Sequence, residues 1–186
     1  VQDIGIMSSI PGVNIFSPAN NYEMSLSLQS YSKLKYIRID KSTFDMSPIK
    51  KVNDISQPIC YFKTKKEEKN LCTLILCHGT IASIALPILN TEFNVDLYTL
   101  SHIYETPELI DLLRTYKKVI VIEEHSEKNG FTAFISLIIA KYNIHLDFKF
   151  IALPHEHCSL VGDQAFLRES SKINTNRLKR LLEKNI

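Results

Sequence analysis

Residues 119–134, VIVIEEHSEKNGFTAF, determine the fold that the sequence predicts. The stretch opens with four β-branched residues, which is typical of a central strand covered on both faces. Glu123, Glu124 and His125 follow at the carboxyl end of this strand, where open α/β sheets place their functional loops. A helix follows the charged loop. The stretch therefore predicts an α/β sheet with a candidate working surface at this edge, and a simple solvated loop is the alternative.

Composition limits the class of protein. The chain has 186 residues, of which 45% are hydrophobic, so it can bury one good core or slightly more. Its 22 basic and 20 acidic residues leave a net charge of +2, which creates no large field to attract nucleic acid or anionic lipid. No apolar run approaches the roughly 20 residues that cross a bilayer. We expect a cytoplasmic globular protein without a nucleic-acid or membrane partner.

Cysteine and histidine spacing gives no metal signature. The four cysteines show no C-x-x-C pair, so neither a disulfide framework nor a zinc site is predicted, and we interpret them as small buried hydrophobes. His155 and His157 have H-x-H spacing. No third ligand stands near them, so a solvated loop is the better interpretation, and we expect no metal-binding residue.

Composition divides the chain into three parts, at residues 1–39, 40–70 and 71–186. The first contains a strand near Ile15, a helix capped by Asn20 or Asn21 and a strand at 34–39, which form a βαβ unit. The second carries two prolines and a charge run at 63–69, and is expected to be a linker crossing the surface.

The third part alternates strands with helices. This order predicts a mainly parallel sheet between two helical layers. The expected strands are 71–77, 95–100, 118–123 and 147–153, and the expected helices are 81–89, 107–116, 131–142 and 174–184.

Several motifs resemble thiamine-diphosphate enzymes of the transketolase family. Residues 3–24, DIGIMSSIPGVNIFSPANNYEM, are similar to the end of the family's pyrimidine-binding domain, including its I-P, P-[AS]-[DN] and glutamate positions. Residues 95–100, VDLYTL, resemble its V-D-L-R-T-L strand, and residues 123–131, EEHSEKNGF, resemble its E-E-H-x-x-x-G-G-[FL] loop. The closing IALPHEHCSLVGDQAFLRESSKINTNRL is similar to the end of the same domain, so the resemblance covers essentially the whole chain.

The resemblance implies a domain assignment. Residues 1–39 would be the end of a pyrimidine-binding domain, 40–70 a linker, and 71–186 a transketolase C-terminal domain with three α/β/α layers and a mixed, mostly parallel five-stranded sheet. Because the chain opens on Val1 rather than Met, we also expect a fragment or a processed chain, with a subunit of a split enzyme as the alternative.

The resemblance also implies an activity. The family transfers a two-carbon or acyl unit from a keto donor to an aldehyde acceptor, using thiamine diphosphate and Mg²⁺ held mainly by other domains. It implies that this chain contains no catalytic or cofactor-binding residue and is inactive alone. The partners would be the missing N-terminal domains, from the same gene or a separate subunit, in a homodimer or heterotetramer.

Two residues are candidate substrate contacts by this resemblance. Arg38 aligns with a strand arginine that reaches the substrate phosphate in sugar-phosphate-using members, and its guanidinium fork suits a phosphate. A surface arginine at a domain edge is the alternative. His125 would face the channel formed with the missing domain and serve a proton relay or bind a substrate hydroxyl. An interface hydrogen bond is the alternative.

The sequence departs from the family at two positions. Tyr98 stands where the family has an arginine that contacts phosphate in 1-deoxy-D-xylulose-5-phosphate synthase, which puts triose-phosphate recognition of that type in doubt. Asn129 stands where a glycine is usual, and asparagine tolerates a positive φ better than most residues. His78 and Gly79 resemble a family turn, for which we expect only a turn-shaping role.

Three other functions remain open. The first is a non-catalytic scaffolding or dimerisation module, in which the chain contributes only to dimer formation. A fragment of a 2-oxo acid dehydrogenase β-subunit is the second. A small nucleotide-binding protein is the third, and it is disfavoured because the turn after the first strand of the third part lacks G-x-G-x-x-G.

Overall fold

The computed structural model describes residues 2–65, 72–156 and 159–183. The strands are β1 Asn14–Phe16, β2 Lys35–Ile37, β3 Ile59–Phe62, β4 Thr73–Cys77, β5 Val95–Thr99, β6 Lys118–Ser126 and β7 Asp147–Leu153. The α-helices are α1 Asp3–Ser8, α2 Asn21–Gln29, α3 Pro107–Thr115, α4 Phe131–Lys141, α5 Gln164–Ser170 and α6 Thr175–Glu183, and a 3₁₀ helix spans Gly79–Ile88. No helix in these ranges is both long and apolar enough to span a bilayer.

The central sheet has five strands in the order β3-β5-β4-β6-β7. Strands β5, β4, β6 and β7 run parallel, and β3 pairs antiparallel with β5 at one edge. Every residue of β4 and β5 is buried, as expected of strands covered on both faces. The predicted mixed, mostly parallel α/β sheet is confirmed.

Alternate side chains of the strands supply two separate cores. One face packs under α3 and α4, and its core includes Leu74, Leu76, Val119, Val121, Leu109, Leu113 and Ile135. The other packs under the 3₁₀ helix and α6, and its core includes Ile75, Cys77, Ile120, Ile122, Ile81, Ile88 and Leu178. The three-layer α/β/α arrangement follows from this alternation.

The predicted N-terminal βαβ unit is present. β1 and β2 form a two-stranded parallel sheet, with Asn14 opposite Lys35. α2 connects them, and the Asn20 side chain accepts a hydrogen bond from the Glu23 amide at 3.1 Å, which confirms the predicted N-cap.

The segment expected to cross the surface instead completes the main sheet. β3 lies within residues 40–70, and Ile59 and Tyr61 are only 0% and 2% exposed. Phe44 and Ile55 from the same segment are buried in the same core. The surface-linker interpretation is therefore wrong for this part of the segment, because four residues supply an edge strand between two turns. The assignment of the three parts to family domains stays a prediction.

Other differences are smaller. The helix expected at 81–89 is a 3₁₀ helix that contains Pro87, which has no backbone N–H to donate. α1 and α5 were not predicted. The start of the first expected strand at Leu71, the end of the last helix at Lys184, residues 66–69 of the charge run, His157 and Cys158 lie outside the described residues.

A fully buried carboxylate joins the N-terminal unit to the main sheet. Glu23 of α2 is 0% exposed and accepts hydrogen bonds from the Ala19 amide at 2.7 Å, the Tyr61 hydroxyl at 2.7 Å and the Thr99 hydroxyl at 2.5 Å. The Ser101 hydroxyl also donates to it. A carboxylate tolerates burial only with such donors. Because Tyr61 and Thr99 belong to β3 and β5, one side chain holds α2 against the sheet edge.

We expect Glu23→Ala to lower the free energy of unfolding by at least about 3 kcal/mol, because four buried donors lose their acceptor together. Urea unfolding followed by circular dichroism measures this loss. The control Glu156→Ala, at an exposed position, should change stability by less than about 0.5 kcal/mol. A loss in Glu23→Ala no larger than the control's would show that the network contributes little.

Candidate functional site

A cleft of about 1000 Å³ opens beside the carboxyl end of β6. The segment at the end of β2, the carboxyl ends of β6 and β7, the loop after β7 and helix α5 form its walls, and we name it the Arg38 cleft. Its charged and polar lining consists of Asp3, Tyr36, Arg38, Asp40, Lys41, Glu124, Asp163, Gln164, Arg168 and Ser171. Leu153, Leu167 and Ile173 supply an apolar wall. A polar group set against an apolar wall is the usual composition of a small-molecule site.

Arg38 lies at this cleft between two carboxylates. Its Nε atom is 3.5 Å from Asp3 Oδ2, and its Nη1 atom is 3.7 Å from Asp40 Oδ2. The side chain is 15% exposed, so the guanidinium is accessible from the cleft but already paired. The predicted phosphate contact stays a prediction, and an incoming anion would compete with these two carboxylates.

Helix α5 brings a second arginine to the cleft. Arg168 makes a bidentate pair with Glu124, with Nε to Oε1 at 2.5 Å and Nη2 to Oε2 at 3.0 Å. Gln164, one turn earlier, donates to Asp40 Oδ1 at 2.8 Å. The sequence analysis did not identify Arg168, Gln164 or Asp40. The available sequence signal for helix α5 was Asp163, because aspartate is a preferred N-cap residue. Its side chain accepts a hydrogen bond from the Phe166 amide.

Asp40 is a strongly stabilised anion of the cleft. Burial raises its pKa, but hydrogen bonds from the Thr80 hydroxyl, Gln164 and the Lys41 amide, together with the Arg38 charge, lower it to about 2. The Thr80 hydroxyl donates at 2.5 Å. Asp40 is therefore ionised at any physiological pH.

His125 is fully buried rather than open to the cleft. Its Nε2 atom is 2.8 Å from Asp3 Oδ1, so it makes a hydrogen bond between the C-terminal part and α1. Burial lowers the pKa of His125, and the hydrogen bond to Asp3 opposes this shift. The geometry matches the interface alternative, and the substrate role of His125 stays a prediction.

Asp3 connects the cleft with the buried histidine. Its carboxylate accepts from the Tyr36 hydroxyl at 2.8 Å and lies beside both Arg38 and His125. Burial raises the pKa of Asp3, but the hydrogen bonds from His125 and Tyr36 and the Arg38 charge hold it well below its usual value. A single carboxylate from α1 therefore positions both predicted substrate contacts.

Glu123 caps α4 from inside the protein. It is 0% exposed and accepts from the Phe131 amide at 2.6 Å and the Thr132 amide at 2.8 Å. Burial raises its pKa to about 7, and those hydrogen bonds oppose the shift. The neighbouring Gly130 leaves no space for a side chain, since an added Cβ would lie 2.1 Å from Glu123 Oε2.

The turn after β4 requires a residue with positive φ, whereas the loop after β6 requires a residue without a side chain. Gly79 has φ +65°, which confirms its turn-shaping role directly after β4. Asn129 does not adopt a positive φ, so the loop does not use the tolerance expected of it, and the close approach at Gly130 is the real constraint.

Tyr98 lies away from the cleft. It pairs across the sheet with Cys60 of β3 and packs in the core under α3 and α4. Burial raises the pKa of its hydroxyl, and the neighbouring Cys60 and Asp96 raise it further. The tyrosine therefore serves the core at this position.

The sheet order, the helical layers and the attached βαβ unit define a transketolase C-terminal-like domain preceded by a small N-terminal unit. A solved split-gene transketolase, described as an inactive β4 tetramer, superposes with a TM-score of 0.73 at 15% identity, over 99% of this chain and 60% of that one. A Campylobacter jejuni transketolase gives 0.64 at 12% identity, over 100% of this chain and 28% of that one. These similarities show the fold.

In sequence, the chain is similar to two curated synthases. The 1-deoxy-D-xylulose-5-phosphate synthase of Chlamydia pneumoniae is 30% identical over 105 residues, which is 54% of this chain and 15% of that protein. The synthase of Malacoplasma penetrans is 26% identical over 135 residues, 69% of this chain and 21% of that protein. The match therefore spans only 15% and 21% of the length of these relatives. No protein-family model matches it.

Asp40 makes stability depend on acid pH. Its pKa is lowered in the folded protein, so its contribution is present above the unfolded value of 3.8 and is lost as pH falls toward about 2. We expect the stability difference between wild type and Asp40→Asn to shrink by about 2 kcal/mol between about pH 5 and about pH 2. Urea titrations at each pH measure it. Asp45→Asn, at an exposed site, should show no such trend, and a pH-independent Asp40 difference would contradict the assignment.

Proposed function

We propose that this chain is the C-terminal portion of a thiamine-diphosphate-dependent transferase of the transketolase type. The reaction is transfer of a two-carbon or acyl unit from a keto donor to an aldehyde acceptor. The observation that carries the proposal is a joint match: 30% identity with a 1-deoxy-D-xylulose-5-phosphate synthase over 105 residues, and a shared fold with a split-gene transketolase over 99% of the chain. We also propose a cytoplasmic location.

In this proposal other domains hold the cofactor and its Mg²⁺. They come from the same gene or from a separate subunit, and this chain supplies an interface and one wall of the active-site region. The exposed apolar side chains of the N-terminal unit support such a partner, since exposed apolar surface commonly marks an interface. They are Ile6, Ile10, Leu28, Tyr31, Leu34 and Ile39, with Tyr31 at 93% exposure.

The two-stranded β1-β2 sheet supports the same partner. A two-stranded sheet is only marginally stable by itself. The outer edge of β1 already bonds to residues 101–103, through the Ile103 amide to the Ile15 carbonyl, so the β2 edge is the one that can accept further strands. We propose that the rest of a pyrimidine-binding domain extends this sheet, within a homodimer or a heterotetramer.

Arg38 and His125 are the substrate contacts of the proposal. Both are held by Asp3, at 3.5 Å from Arg38 Nε and 2.8 Å from His125 Nε2. A substrate phosphate that displaced Asp3 would gain the Arg38 fork and leave His125 Nε2 available to a substrate hydroxyl.

A non-catalytic dimerisation module is the second candidate. One observation favours it: Arg38 and Arg168, which both line the Arg38 cleft, are each paired with carboxylates within the chain. A cleft whose arginines are internally neutralised attracts an anionic substrate less strongly than one whose arginines are unpaired.

The purified chain should give no product from a ketose-phosphate or 2-oxo acid donor with an aldehyde acceptor, thiamine diphosphate and Mg²⁺. Addition of the domains encoded upstream or by a neighbouring gene should give turnover, because they bring the cofactor site. Coupled product assays measure both. Turnover by the chain alone would contradict the proposal. An assembled complex that binds no thiamine diphosphate would favour the dimerisation module.

In the complete enzyme, Arg38→Lys should raise KM for a phosphorylated substrate by about tenfold or more, because lysine keeps the charge but loses the paired donors. The KM for the unphosphorylated analogue should stay unchanged. Arg114→Lys, on the exposed face of α3, is the matched control. Equal effects on both substrates would assign Arg38 a purely structural role.

A further inference from the structure

Three buried side chains converge behind the Arg38 cleft, and we name them the His78 cluster: His78, Glu123 and His125. Their side chains are 2%, 0% and 0% exposed. One nitrogen from each histidine and one oxygen from the glutamate lie within 4.8 Å of one another. His78 and Glu123 stand at the carboxyl ends of the neighbouring parallel strands β4 and β6, and His125 lies two residues further along β6.

Two ring nitrogens of this cluster have no hydrogen-bond partner within the described ranges. They are His78 Nε2 and His125 Nδ1. A buried polar atom without a partner is costly and rare in folded proteins, so each requires a physical reason.

The partners of the opposite ring nitrogens indicate where the lone pairs lie. His125 Nε2 is 2.8 Å from the Asp3 carboxylate, which accepts only, so Nε2 carries the proton and Nδ1 carries the lone pair. His78 Nδ1 is 2.9 Å from the Ser17 hydroxyl, which can accept its proton and leave the lone pair on Nε2. Both lone pairs then belong to the two ring nitrogens that have no hydrogen-bond partner among the described residues, which leaves them available to an ion.

We propose that His78, Glu123 and His125 bind a divalent transition-metal ion, with Zn²⁺ as the best fit. Imidazole nitrogen with one carboxylate oxygen is a common donor set for Zn²⁺, whereas Mg²⁺ and Ca²⁺ select oxygen ligands. His78 Nε2 and Glu123 Oε2 are 4.0 Å apart. An ion midway between them would lie about 2.0 Å from each, which is the usual Zn–N and Zn–O distance.

The surrounding groups form the outer support that metal sites require. The Asp3–His125 contact is a carboxylate–histidine pair, Ser17 orients His78, and the amides at the start of α4 hold Glu123. All three ligands come from the main sheet, whereas Asp3 and Ser17 belong to the N-terminal unit. A bound ion would therefore stabilise the contact between these two parts. Asp3, which contacts both His125 and Arg38, connects this site with the Arg38 cleft.

The test is Zn²⁺ titration of metal-stripped protein against a chromophoric chelator, together with the visible absorption of the Co²⁺-substituted protein. We expect one tightly bound ion per chain and a tetrahedral Co²⁺ spectrum. His78→Gln should abolish tight binding. Asp3→Asn, which keeps all three ligands, should weaken it by about tenfold or more. The midpoint temperature of thermal unfolding should rise with Zn²⁺ in the wild type and should not rise in His78→Gln.

Two control variants separate this site from surface histidines. His145→Gln removes an exposed imidazole, and His155→Gln removes one member of the H-x-H pair. Both should bind Zn²⁺ as tightly as the wild type. Circular dichroism checks that His78→Gln is folded, and Asp3→Asn decides the question if it is not. Failure of the stripped wild type to bind Zn²⁺, or loss of binding in His155→Gln with retention in Asp3→Asn, would overturn the proposal.

Discussion

The hydrogen bonds that converge on buried Glu23 fix the arrangement on which the rest of the structure depends. They join α2 to β3 and β5, and thereby set the small β1-β2 sheet against the edge of the main sheet. Asp3 and Arg38, from opposite ends of the small unit, reach the strand ends of the main sheet because of this docking. A carboxylate that is satisfied by donors from several elements gives geometric specificity that apolar packing alone does not.

The candidate site is consequently shared between sequence-distant parts. Asp3 contacts His125 across 122 residues, and Gln164 contacts Asp40 across 124. The Arg38 cleft and the His78 cluster are linked through Asp3, which touches Arg38 on one side and His125 on the other. A change that moves Asp3 therefore alters the contacts of both Arg38 and His125.

Periodic, long segments were predictable and short or long-range features were not. The β-branched run before Glu123 identified the central strand, and Asn20 identified the start of α2, because both signals are local. β3 has four residues, and α5 has seven without a buried residue, so neither gives a decisive pattern. The resemblance placed Arg38 at a substrate region, but its pairing with Asp3 and Asp40, and the presence of Arg168, depend on tertiary contacts that no local pattern records.

The edge strand Ile59–Phe62 has a consequence for how this domain can be separated from its neighbours. It covers the outer edge of β5, and its register shifts between Cys60 and Phe62, which limits further pairing along that edge. A domain excised at residue 71 would expose a fully buried strand to other chains and lose Phe44, Ile55 and Tyr61 from its core. A domain that can be separated from its neighbours without aggregation therefore has to begin N-terminal to Phe44.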